Sequence, residues 1–228
     1  MSYPNNQGVM HARALAVLIL TLTLSGSMAC TPARGQIPAF GGASESRAAV
    51  GEQTAVLAGG CFWGVDAVFK HVKGVSTVVS GYSGGSAATA HYDIVSTGMT
   101  GHAEAVKITF DPARISYSEL LRIFFSVATD PTELNRQGPD TGTQYRSVIF
   151  YTNEGQKQTA LAYIDQLNQA RVFPAPIVTQ VVPLKAFYPA EEYHQNFLER
   201  NPHHPYIVFN DLPKLRELEK RFPDLYEK

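Results

Sequence analysis

Cysteine is scarce in this chain of 228 residues: there are 2, Cys30 and Cys61, and residues 62–228 have none. That excludes a disulfide-stapled scaffold and leaves no paired thiols for a zinc site. Tryptophan occurs once, at Trp63. Charge is modest at 17% and nearly balanced, with 19 Lys+Arg against 20 Asp+Glu. No basic stripe marks a nucleic-acid footprint and no acidic run marks a tail. Long apolar runs are missing too. Ala14 to Leu24 is uncharged, but it falls short of the roughly 20 residues that span a bilayer. What is present is ordinary globular composition, 44% hydrophobic, in a length that favours one domain plus extensions. Such a chain buries enough apolar surface to fold without disulfides.

Residues 1–29 read as an export leader. His11 and Arg13 precede the apolar stretch, and Ser27-Met28-Ala29 supplies the small residues of a cleavage site. Cys30 follows at once, as in a lipoprotein processing site, although Ser27 stands where Leu is usual. Lipidation of Cys30 and plain cleavage both remain open. Thr31 to Gln53 is rich in Ala, Gly, Ser and Pro without apolar periodicity, the composition of a flexible linker. The expected organisation is a signal peptide over 1–29, a linker over 30–53 and one folded domain over 54–228. The expected location is the periplasm or cell envelope, with Cys30 as the only membrane attachment.

Beyond the linker, strand and helix patterns alternate. Ala55–Ala58 reads as a short strand ending at Gly59-Gly60, and Phe62–Lys70 as a helix. Val75–Ser80 is β-branched and strand-like, and Ala103–Phe110 alternates as a half-buried strand does. Ser116 and Glu119 form a capping box ahead of a helix with Leu120, Leu121, Phe124 and Ala128 on one face. Ser147–Tyr151 is a strand. Glu154–Arg171 is a long helix with Ala160, Leu161, Ile164 and Leu167 inward. Ile177–Val182 is a strand, Pro189 opens a short helix, and Leu215, Leu218 and Phe222 mark a last helix. This order predicts an α+β two-layer sandwich, a mixed ferredoxin-like sheet with helices packed on it.

Cys61 stands in Gly59-Gly60-Cys61-Phe62-Trp63-Gly64, between a strand and a helix. Two glycines allow a tight turn. A helix N-terminus offers unpaired N–H groups and the positive end of the dipole, which favour the nucleophilic thiolate. A lone cysteine is more often a buried structural residue, but the flanking glycines and the helix start favour function here.

The sequence around Cys61 resembles the active-site signature of the A-type peptide methionine sulfoxide reductases. The resemblance extends in family order through Gly81–Gly85, Thr100–Val106, Asp130–Thr132, Gln137–Ser147 and Pro189–Gln195. It implies that Cys61 attacks the sulfoxide sulfur, while Phe62 and Trp63 wall a pocket for the substrate methyl. Glu104 would be the acid at the sulfoxide oxygen, with Tyr92 and Tyr145 as further donors to it. Asp140 would support the site, with His194 nearby in a second tier. Chemically the set is sensible. A sulfoxide needs an apolar wall for its methyl and donors for its oxygen, and burial would keep Glu104 protonated.

The resemblance also implies an oxidoreductase specific for the S epimer of methionine sulfoxide, protein-bound and free; with the export leader, the expected role is repair of oxidised exported proteins. Neither metal nor bound cofactor is expected. Many family members resolve the Cys61 sulfenic acid with a second cysteine, which residues 62–228 lack, so an external thiol, such as a thioredoxin-like protein, is the expected reductant. A free Cys30 stays open as an internal alternative. Two other classes compete: a hydrolase pairing Cys61 with His102 or His194, and a non-catalytic exported binding lipoprotein.

Overall fold

The computed structural model describes residues 1–2, 37–42 and 51–228. The chain divides into a unit of residues 1–33, of which only Met1 and Ser2 are described, and a unit of residues 34–228. The leader and Cys30 therefore lie outside the described residues.

The second unit begins its regular structure with β1 (Gln53–Gly59), α1 (Phe62–Lys70), β2 (Val75–Ser83) and the four-residue α2 (Tyr92–Val95). Next come β3 (Ala103–Phe110) and α3 (Tyr117–Ile123), then the short hairpin of β4 (Arg136–Gln137) and β5 (Asp140–Thr141). They are followed by β6 (Ser147–Tyr151), α4 (Glu154–Gln169), β7 (Gln180–Pro183), β8 (Phe187–Pro189), α5 (Phe197–Arg200) and α6 (Leu212–Arg221). Six strands make one sheet in the order β7-β6-β1-β3-β2-β8. All its pairings are antiparallel except β6 with β7. The middle four strands with α1 and α3 form the expected ferredoxin-like α+β sandwich, and the parallel edge makes the sheet mixed.

Period-two alternation decides what each face buries. Ala55 and Leu57 of β1, Val106, Ile108 and Phe110 of β3, and Ile149 of β6 enter the main core beneath the helices. Val56, Ala58, Ala103, Ala105, Val148 and Phe150 form a second cluster on the other face. Val182 of β7, Leu184 of the connection and Phe187 of β8 pack over that cluster. The start of β3 is therefore buried on both faces rather than half-buried. Local signals hold where expected. The Ser116 side chain accepts from the Glu119 amide, and the Glu119 carboxylate accepts from the Ser116 amide. No helix of the described residues is long and apolar enough to cross a membrane.

Several expectations need correction. Pro189 ends strand β8 instead of opening a helix, and the nearby turn is Glu192–His194. Ala190 N–H donates to the Ser80 carbonyl next to that pairing, which holds the segment extended along the sheet. Leu161 is 49% exposed, because α4 turns Tyr163 inward instead. The helix after Ser116 changes at Phe124 to a wider π turn through Ala128.

The stretch read as linker is docked in part. Ile37 is 2% exposed and belongs to the main core. The carbonyls of Ile37, Pro38 and Ala39 accept hydrogen bonds from the side chains of Arg122, Tyr163 and Gln166. Phe40 packs edge-on against Tyr163. Ile37–Gly42 is thus a strap across α3 and α4. Shortening a buried Ile to Ala typically costs 2 kcal/mol or more. Ile37→Ala should lower the unfolding free energy by about 2 kcal/mol in urea titrations, and an unchanged midpoint would show that the strap contributes no stability.

Candidate active site around Cys61

The turn from β1 into α1 builds the site. Gly60 has φ of +101°, and a Cβ there would come within 2.6 Å of the Gln137 side chain. Only glycine fits both conditions. Gln137 is itself held by Asp130 N–H, Thr129 Oγ1 and the Asp130 carbonyl, so the wall opposite Gly60 is firm. The chain then enters α1 with Cys61 as its N-cap.

Glu104, near the start of β3, meets this turn. The Phe62 N–H donates to Glu104 Oε2 at 3.0 Å. The carboxyl is 2% exposed. Burial, opposed by that hydrogen bond and reinforced by Asp140, raises its pKa to about 8. At neutral pH Glu104 is therefore an acid with a proton to give.

Cys61 lies at 8% exposure. Burial holds its thiol well above the ordinary value, and Glu104, Asp211 and Asp140 push the same way. The Trp63 amide opposes them. This corrects the expectation of a stabilised thiolate: loss of water and nearby carboxylates outweigh the helix N-terminus. The resting nucleophile is a neutral thiol.

Tyr92 and Tyr145 share these surroundings. Burial raises both phenol pKa values, and Cys61, Glu104 and Asp140 all add to the effect. Both hydroxyls stay protonated and able to donate. Asp140, on the β4–β5 hairpin, accepts a hydrogen bond from the Tyr206 hydroxyl.

The aromatic wall is continuous. Trp63 stacks flat on Phe197 of α5, with centroids 3.6 Å apart, and meets Tyr206 edge-on. Phe62 packs against Tyr82 and His194. His194 Nδ1 accepts from the Trp63 indole N–H at 3.1 Å. The neutral ring must therefore carry its proton on Nε2. Burial lowers its pKa, against the pull of Glu191.

A family model for peptide methionine sulfoxide reductase matches residues 53–225. The chain belongs to that family. The curated "Peptide methionine sulfoxide reductase MsrA 2" of Mesorhizobium japonicum is 60% identical over 182 residues, covering 80% of this chain and 93% of its own. Its Synechocystis namesake is 56% identical, over 78% of this chain and 84% of its own. The crystal structure of reduced Mxr1 from Saccharomyces cerevisiae aligns with TM-score 0.62 and 33% identity, over 67% of this chain and 87% of that one. The reductase is accordingly an oxidoreductase acting on sulfur, reducing methionine sulfoxide by thiol-dependent chemistry.

The structure gathers all the candidate residues of this reductase and adds three. Tyr206 orients Asp140, Glu191 binds Tyr82 and Tyr92, and Asp211 is a fully buried carboxyl whose pKa burial raises to about 6. Gly64 makes room for Asp211, whose Oδ1 would lie 2.2 Å from a Cβ there. Glu191 lies in the Pro189–Gln195 block but nothing in the sequence gives it a role, and Tyr206 and Asp211 carry no signal of their own, since each acts through a neighbour far along the chain. His102 stands apart. Its Nδ1 accepts from Gly85 N–H and its Nε2 contacts the Ser86 carbonyl, so the ring locks a loop. His194 Nδ1 is held by Trp63, and among the described residues no histidine is hydrogen-bonded to Cys61 as a hydrolase would need. Among the described residues, no three His, Cys, Asp or Glu side chains are grouped to hold a metal.

The raised Glu104 pKa has a signed consequence. An unfolded Glu titrates near about 4.3, so from there to about pH 8 the fold holds a proton that the unfolded chain lacks. Stability therefore falls as pH rises through this window, by up to about 1.4 kcal/mol per pH unit. Glu104→Gln has no such proton, and the other raised carboxyls cancel between the two proteins. Urea titrations should show wild type losing stability relative to Glu104→Gln across this window. A constant difference would mean that Glu104 is ionised in the fold.

Proposed function

We propose that Cys61 attacks the sulfur of the S epimer of methionine sulfoxide, free and within proteins. The observation that carries this reading is the Phe62 N–H bond to buried Glu104, which fixes an acid beside the nucleophile. Sulfur–sulfur bond formation pushes electrons onto the sulfoxide oxygen. Glu104 protonates that oxygen while Tyr92 and Tyr145 donate hydrogen bonds to it, and the Cys61 proton restores Glu104. Phe62 and Trp63 receive the methyl group. Transfer of the OH to Cys61 then releases the thioether, so that thiol plus sulfoxide become sulfenic acid plus methionine. Cys61 gives up two electrons and the substrate sulfur takes them.

Regeneration needs two outside thiol groups. The first displaces water from the sulfenic acid to form a mixed disulfide, and the second releases Cys61 as a thiol. A thioredoxin-like dithiol protein fits this role, because residues 62–228 contain no cysteine. The export leader over 1–29, with Cys30 lipidated or free, would place the enzyme in the periplasm or cell envelope, where it would repair exported proteins.

Peptides carrying each epimer, assayed with dithiothreitol, test the assignment. The S epimer should turn over and the R epimer should not; equal rates would reject the proposed geometry. Glu104→Gln should slow the S epimer by about 10²–10⁴-fold, the usual worth of one general acid. A single turnover without reductant should leave a dimedone-reactive Cys61, absent from Cys61→Ser. Cys30→Ser should behave identically, whereas a Cys30–Cys61 disulfide in wild type would overturn the external-thiol route. That substitution is a cleaner probe than a chain starting at Ala48, which would also remove the Ile37–Gly42 strap.

A further inference from the structure

Tyr92 occupies a demanding place on a weak element. Its helix α2 has four residues, and its N-cap His91 makes no side-chain cap. So short a helix does not hold its own shape. The downstream side is pinned near Tyr145, where Gln144 donates to the Ser96 carbonyl and Thr143 to the Gly98 carbonyl. The upstream side is held by Glu191. Its Oε1 accepts the Tyr92 N–H at 3.0 Å, and its Oε2 accepts the Tyr82 hydroxyl at 2.8 Å.

Both oxygens of this carboxylate are thus fixed, one by α2 and one by the sheet. Tyr82 is the direct cross-strand partner of Glu104, and it is fully buried. Cross-strand partners project to the same face. Glu191 therefore connects the amide of Tyr92 to the rung that carries the acid. Burial pushes its own carboxyl up, but the hydrogen bonds from Tyr92, its own amide and Tyr82 outweigh this and hold it ionised. Glu191 is not among the main influences on the Cys61 thiol. Its backbone carbonyl also accepts the His194 N–H, joining the third wall of the site to the same residue.

We infer that Glu191 is a positioning residue for sulfoxide reduction, holding the Tyr92 hydroxyl on the substrate oxygen by clamping the Tyr92 amide to Tyr82. The inference rests on the proposed role of Tyr92. Misplacing a donor by a fraction of an ångström weakens transition-state stabilisation more than ground-state binding. Loss of Glu191 should therefore appear in kcat and leave KM nearly unchanged.

A double-mutant cycle on a methionine S-sulfoxide peptide with dithiothreitol tests it. Tyr92→Phe should lower kcat at least about tenfold, and Glu191→Ala about tenfold. In the Tyr92→Phe background, Glu191→Ala should have no further effect. Glu191→Gln, whose amide oxygen can still accept the Tyr92 N–H, should recover most of the rate. Tyr82→Phe removes one arm of the clamp without altering Glu191 and keeps the test open if Glu191→Ala does not fold. It should reduce kcat about threefold beside Tyr92 and not at all beside Phe at that position. Equal fold-losses in both backgrounds would overturn the inference while sparing the role of Tyr92. A fully active Tyr92→Phe would overturn that role and the inference with it.

Discussion

One hydrogen bond, from the Phe62 amide to Glu104 Oε2, joins the two halves of the chemistry. It ties the first turn of α1 to the first residues of β3, elements that meet only because the sheet order places β3 beside β1. The bond occupies one oxygen of the carboxyl and leaves the other to carry the proton. It also holds the acid against the backbone amide of the residue that follows the nucleophile. The glycine turn before Cys61, the Gln137 brace and the aromatic wall are arranged around that junction.

The electrostatic character of the site follows from what surrounds this junction. Glu104, Asp140 and Asp211 all raise the Cys61 pKa, and no cation opposes them among the causes of that shift. A site of this kind does not store a thiolate. The proton leaves Cys61 only when another atom is ready to receive charge, which favours a substrate with a polar S–O bond over a general electrophile. The partial charge of a helix end is a surface-scale effect of about 1 kcal/mol. Removal of a thiolate from water costs more. That difference is why reasoning from the helix start alone gave the wrong charge state.

Much of the fold could be read from local pattern. The helix Phe62–Lys70 and the strands Ala103–Phe110 and Ser147–Tyr151 have the expected boundaries, because alternation and the glycine stop are strong local signals. The Ser116 capping box is equally local. Pro189 was misread because its fixed φ suits both a helix start and an edge strand, and only the pairing with β2 decides. Leu161 was misread because the demand for Tyr163 at the strap sets the rotation of α4. In the site, the motif residues could be named from the sequence. The roles of Glu191, Tyr206 and Asp211 could not, since they come from partners 66 to 109 residues away, as with Tyr206–Asp140 and Glu191–Tyr82, or from the space above a glycine.

The strap has a mechanical meaning as well. β1 lies between β6 and β3 and ends at Gly59, from which Gly60 leads into Cys61, so a pull applied directly at Gln53 would load the strand that leads to the nucleophile. Ile37–Gly42 lies upstream of that strand and is fastened by three side chains to α3 and α4. Tension from the N-terminal side reaches these fastenings first and is shunted into the helical layer. The strap sits where a strain relief sits on a cable, between the reactive turn and any load on the chain ahead of it.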